Sequence, residues 1–132
     1  MINYENEVFE RWGNTNAYKE HTAKTKNYTD EKWTDVNNGL MNIFADFAEC
    51  KNKGNAPDSS DTLAMVSTLQ KYITLNFYTC TDDILLGLGK MYVADERFKN
   101  NIDKYGEGNA EYVSKAITCY LGVKQNVCLY NY

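Results

Sequence analysis

The chain has 132 residues, 43% of them hydrophobic, with a formal net charge of −4, which suits one modest domain. Its 14 Lys and Arg are interspersed with 18 Asp and Glu, so no basic stripe offers itself to nucleic acid. No run of about 20 apolar residues is present to span a membrane.

The opening Met1-Ile2-Asn3-Tyr4-Glu5 has neither the basic region nor the apolar core of a signal peptide. A cytoplasmic protein is therefore expected, with Cys50, Cys80, Cys119 and Cys128 as thiols. His21 is the single histidine and there is no C-x-x-C pair, so neither a metal site nor a cofactor is predicted. A short helix is predicted around Tyr4 to Trp12. Gly13 to Tyr28 is polar and weakly periodic, and it reads as an extended, mobile segment with isolated aromatics such as Tyr18. Such a segment can order over a ligand when the contacts offset the entropy of fixing it.

From Thr29 the pattern is helical. Thr29 is the predicted N-cap, with Asp30 and Glu31 in the first turn, where the helix dipole favours acids. Trp33, Val36, Leu40, Ile43, Phe44 and Phe47 recur at helical spacing, and Lys53-Gly54-Asn55-Ala56-Pro57 ends the helix. Asp58, Ser59 and Ser60 offer caps for a second helix with Leu63, Val66, Leu69, Ile73 and Phe77 on one face. Thr81-Asp82-Asp83 restarts the chain into a helix bearing Ile84, Leu85, Leu88, Met91 and Tyr92. Asp95 is predicted to cap a short helix with Phe98, Ile102 and Tyr105. After Gly106-Glu107-Gly108, Asn109 is predicted to cap a last helix carrying Val113, Ala116, Ile117, Tyr120 and Leu121. Residues 122–132 are too apolar to be inert; they can pack back, add a strand or contact a second copy of the chain.

Cys80 stands beside a predicted helix start, where the dipole favours a thiolate, while Asp82 and Asp83 disfavour it. A small buried hydrophobe is the competing reading. Gly87 and Gly89 each cost roughly 1 kcal/mol relative to alanine in a helix, so a close helix contact or a cleft floor is expected there. Tyr72, Phe77, Tyr78, Met91 and Tyr92 form either core or pocket. Adjacent carboxylates such as Asp82-Asp83 do not share a helix face, and His21 is far from Cys80 in sequence, so no enzyme is predicted.

Asn76 to Asp103, which contains Phe77-Tyr78-Thr79-Cys80, resembles the TipAS domain, the drug-binding part of TipA-type regulators of the MerR family. Arg11-Trp12-Gly13-Asn14-Thr15-Asn16-Ala17-Tyr18-Lys19-Glu20 and Tyr28-Thr29-Asp30-Glu31-Lys32-Trp33 resemble a second block of the same family. The resemblance spans residues 4 to 121. It implies an all-α, globin-like array of about five to seven helices without haem. It also implies a division of the single domain into a flexible lid (1–28), a helical core (29–121) and an extension (122–132). The implied ligand is a bulky, partly apolar antibiotic of the thiopeptide class, with Cys80 adding to a dehydroalanine. Trp12, Tyr18, Trp33, Tyr72, Asn76, Phe77, Tyr78, Gly87, Met91 and Tyr92 are the implied contacts. Where many members carry a histidine and a tryptophan in the helix before the cysteine, this chain has Tyr72 and Asn76. With no helix-turn-helix before residue 1, promoter binding is not expected of this sequence. The alternative function is a helical interaction or dimerisation module without a drug ligand.

Overall fold

The structure is a computed structural model that describes residues 16–124, with side chains from 19 to 123. Among these residues there are six helices: α1 (Asn16–Thr25), α2 (Asp30–Asn52), α3 (Ser60–Asn76), α4 (Asp82–Ala94), α5 (Glu96–Asp103) and α6 (Asn109–Lys124). The described chain is all-α.

Local chemistry sets most of the helix ends. Thr29, Ser59, Thr81 and Asp95 are N-caps whose side chains accept the N–H of Lys32, Thr62, Ile84 and Arg97, satisfying donors that have no partner inside the helix. The α2 helix ends in a Schellman motif. Gly54 N–H donates to Lys51 O, Asn55 N–H donates to Cys50 O, and Gly54 takes φ +88°, a value only glycine adopts cheaply.

Two expectations about helix ends are corrected. The stretch from Gly13 to Tyr28 is not extended throughout, because Asn16–Thr25 is helical. Its sequence has no strong amphipathic stripe, so tertiary contacts rather than patterning hold it. Gly108 O accepts the Tyr112 N–H, so Asn109 is the first residue of α6 and not its cap. It is fully buried, and its Nδ2 donates to Phe44 O at 3.0 Å and Ile102 O at 3.3 Å. The N-terminal N–H of Ala110 goes instead to Asp103 Oδ1 at 2.8 Å.

The α6 helix is the hub, touching α2, α3, α4 and α5, and its contact with α4 is the most extensive. Gly89 permits that contact: a Cβ there would lie 3.2 Å from Ile117 Cδ1. The α2 and α3 helices approach closely for a similar reason, with Gly39 leaving room for the Tyr72 ring. The core joins Leu40, Phe44 and Phe47 of α2, Leu69 and Ile73 of α3, Leu85 and Leu88 of α4, Ile102 of α5 and Ile117 of α6. One buried threonine is accounted for by hydrogen bonding: Thr62 pairs with the Tyr112 hydroxyl at 2.8 Å, tying α3 to α6. The helical face continues past Leu121 to Lys124; residues 125–132 and the helix expected over Tyr4–Trp12 lie outside the described residues.

Candidate functional site

The α3 helix stops at Asn76, and five residues carry the chain to the first residue of α4. Phe77 is the C-cap, and its N–H returns to Ile73 O at 2.9 Å. Phe77, Tyr78 and Cys80 are buried while Thr79 is exposed. This short connection is pinned from α3. Cys80 N–H donates to Thr74 Oγ1 at 3.0 Å, and Gln70 Nε2 donates to Cys80 O at 2.8 Å and to Asp82 Oδ1 at 3.0 Å. Thr81 then caps α4. Cys80 therefore sits just before a helix N-terminus, as the sequence indicates, with 4% of its surface exposed.

The α1 helix docks on this connection through side chains. Thr79 Oγ1 donates to Glu20, and that bond holds the Glu20 carboxyl below the usual carboxylate range. One residue on, the His21 ring stacks on Phe77 at 6.2 Å and meets Trp33 at 6.0 Å and Tyr78 at 6.3 Å between centroids. Tyr28 closes the group, with its ring edge-on to Trp33 and its hydroxyl donating to Asn76 O at 2.7 Å. Burial lowers the His21 pKa to about 4, because an apolar box penalises the imidazolium. A base that weak is poorly suited to taking a proton from a thiol, so His21 serves here as an aromatic anchor.

Beside this cluster lies a cavity of about 650 Å³, lined by Lys24 of α1, by Ser67, Gln70, Lys71, Thr74 and Leu75 of α3, by Cys80, and by Tyr120 of α6. Its volume is in the range of small-molecule sites. Among the described residues no group of three or more His, Cys, Asp or Glu is placed to hold a metal. Cys50, Cys80 and Cys119 are free thiols.

The residues singled out from the sequence separate into groups. Trp33, Phe77 and Tyr78 come together around His21, and Cys80 opens onto the cavity. Tyr72 lies between α2 and α3, its hydroxyl donating to Val36 O at 2.7 Å; burial raises its pKa above the ordinary value, aided by Tyr28 and Asp35. Asn76 donates back to Tyr72 O at 3.0 Å. Met91 and Tyr92 are interior, the Tyr92 ring meeting Phe44 edge-on at 5.4 Å. Gly87 is half-buried on α4. Tyr18 falls in α1, and Trp12 lies outside the described residues.

Sequence reasoning missed His21 as an anchor and α3 as the cavity wall. The signal for the wall is present: Ser67, Gln70, Lys71 and Thr74 share one helical face, displaced from the buried stripe of Val66, Leu69 and Ile73.

The profile of the TipAS antibiotic-recognition domain matches residues 4–120. The chain is 38% identical over 114 residues to the HTH-type transcriptional activator TipA of Streptomyces coelicolor, covering 86% of this chain and 45% of that protein. It is 32% identical over 123 residues to the HTH-type transcriptional activator mta of Bacillus subtilis, covering 93% of this chain and 47% of that one. It thus spans about half the length of the curated relatives it matches. A solved structure of nosiheptide in complex with TipAS, from a thiopeptide antibiotic multidrug resistance system of Streptomyces lividans, superposes with a TM-score of 0.77 at 36% identity, covering 92% of this chain and 85% of that one. With a profile match over nearly its whole length and relatives at these identities, the chain belongs to the TipAS antibiotic-recognition domain family.

Proposed function

We propose that the cavity at Cys80 binds an antibiotic of the thiopeptide class, and that the chain serves drug sequestration, resistance or sensing in the cytoplasm rather than catalysis. The observation that carries this is a cavity of about 650 Å³ bearing the Cys80 thiol, in a family with a solved complex of TipAS and nosiheptide. No helix among the described residues is long and apolar enough to cross a membrane.

The same proposal includes a globin-like arrangement of the helices and a lid formed by residues 1–28. With Cys80 only 4% exposed, a bulky ligand reaches Sγ when α1 lifts from the Phe77–Thr79 connection. The lid then folds back over the ligand. Trp12, Tyr18, Trp33, Phe77 and Tyr78 supply aromatic contacts, and Tyr72, Asn76, Gly87, Met91 and Tyr92 stand behind them.

Covalent capture is conjugate addition. The Cys80 thiolate forms a C–S bond to the terminal carbon of a dehydroalanine. The alkene electron pair moves to the neighbouring carbon, which takes a proton, so nothing leaves and the adduct mass is the sum of the two molecules.

Incubation with a dehydroalanine-containing thiopeptide, followed by intact-mass and thermal-unfolding measurements, tests both parts. The expected results are an adduct that is absent in Cys80→Ser, and a stabilisation of about 2.7 kcal/mol at a ligand concentration 100 times Kd. Stabilisation with unchanged mass overturns the capture step alone, while neither effect overturns the binding role. Val123, 55% exposed near the end of α6, favours a second reading in which that end docks another copy or a regulator. A dimer mass in solution, together with no antibiotic-induced stabilisation, would support it.

A further inference from the structure

The cavity wall has a one-sided chemistry. Ser67, Gln70, Lys71, Thr74 and Leu75 follow one another along one face of α3, and Lys24 reaches the same cavity from the last turn of α1. Among the described residues no Asp or Glu lines it. Neither Lys24 nor Lys71 has a carboxylate within ion-pair distance among these residues, whereas Lys53, Arg97, Lys99 and Lys115 each have one. Two acids stand nearby: Glu20, which accepts from Thr79 and lies within Coulombic reach of Lys24, and Asp82, which accepts from Gln70.

The remaining polar groups are mixed. Both N–H bonds of Gln70 are spent within the protein, which leaves its Oε1 as an acceptor. Thr74 Oγ1 already accepts the Cys80 N–H, which leaves its own proton to give. Leu75, 74% exposed, and the ring of Tyr120 supply apolar surface, and Ser67 adds a hydroxyl. The chain as a whole carries a charge of −4, so any pull on an anion is local to these two ammonium groups. Charge-assisted hydrogen bonds at the edge of an apolar site are stronger than the same pairs in open water.

We propose that this cavity selects ligands bearing an anionic group on an apolar body, with the anion held between Lys24 and Lys71. The inference rests on the reading of the cavity as a ligand site. The test compares two fluorescent probes that share an apolar body, 1-anilinonaphthalene-8-sulfonate and its uncharged analogue N-phenyl-1-naphthylamine. The sulfonate is expected to bind about tenfold more tightly, with the margin shrinking at about 0.5 M salt. Lys24→Gln with Lys71→Gln should abolish the margin without lowering Tm, and Lys115→Gln should leave it intact. Equal binding of both probes, a margin that survives the double substitution, or an equal loss in Lys115→Gln would overturn the anion preference while leaving an apolar site. Binding of neither probe would overturn the ligand site as well.

Discussion

At the residue scale, His21 shows how one side chain can change meaning between sequence and structure. As the only histidine it invites comparison with catalytic partners of cysteine, yet it is 5% exposed and packed among Trp33, Phe77 and Tyr78. Its pKa in the docked state is about 4, below the ordinary 6.5. When α1 is undocked the imidazole takes a proton near pH 6.5, so docking is fully favourable above that value. Docking then weakens as pH falls from 6.5 towards 4, because only the undocked state binds the proton in that window. Amide exchange across residues 19–25 as a function of pH should show protection fading over this range. His21→Phe, which keeps a ring and cannot charge, should remove the fade; an unchanged pH profile in that variant would discard the mechanism.

At the element scale, two helix glycines look alike in sequence and differ in consequence. A Cβ on Gly39 would stand 2.8 Å from the ring carbon bearing the Tyr72 hydroxyl, and nearer still to its oxygen. Tyr72 cannot yield without giving up its bond to Val36 O. Gly39→Ala should therefore cost about 1–2 kcal/mol net, the clash exceeding the roughly 1 kcal/mol gained in helix propensity. A Cβ on Gly89 would meet Ile117 at Cδ1 (3.2 Å), Cγ2 (3.4 Å) and Cβ (3.5 Å), so that side chain has to shift by only a few tenths of an ångström. Gly89→Ala should fall within about 0.5 kcal/mol of the parent, its propensity gain and packing cost offsetting. Chemical denaturation of the two variants decides, and a reversed order would refute the packing account. The two glycines marked a close approach on this helix in the sequence; that a neighbouring helix fills the gap at Gly89 was not legible, because spacing along one helix does not specify what faces it.

At the scale of the whole molecule, Asn109 ties three helices with one amide. It sits at the start of α6 and donates to Ile102 O in the last turn of α5 and to Phe44 O within α2. Asn109→Leu should destabilise by about 2 kcal/mol, since two buried carbonyls lose their side-chain donor. Calorimetric unfolding measures this, and a loss under about 0.5 kcal/mol would mean that backbone donors such as the Tyr105 N–H on Ile102 O suffice without the amide.

Sequence by itself determined the all-α class, the break between α3 and α4 at Cys80, the N-caps Thr29 and Asp95, and the family, while Ser59 was one of three candidate caps and Thr81 was marked only as part of a helix restart. These depend on local propensity, short-range hydrogen bonds and fixed spacing, which the chain carries wherever it folds. Only the tertiary structure decided that Asn109 is a buried tie, that α1 is helical with His21 as its anchor, and that a polar stripe of α3 forms a cavity wall beside Cys80. Each of these depends on groups far apart in sequence being brought within a few ångströms. The free energy of such contacts comes from burial and desolvation among neighbours that no single segment specifies.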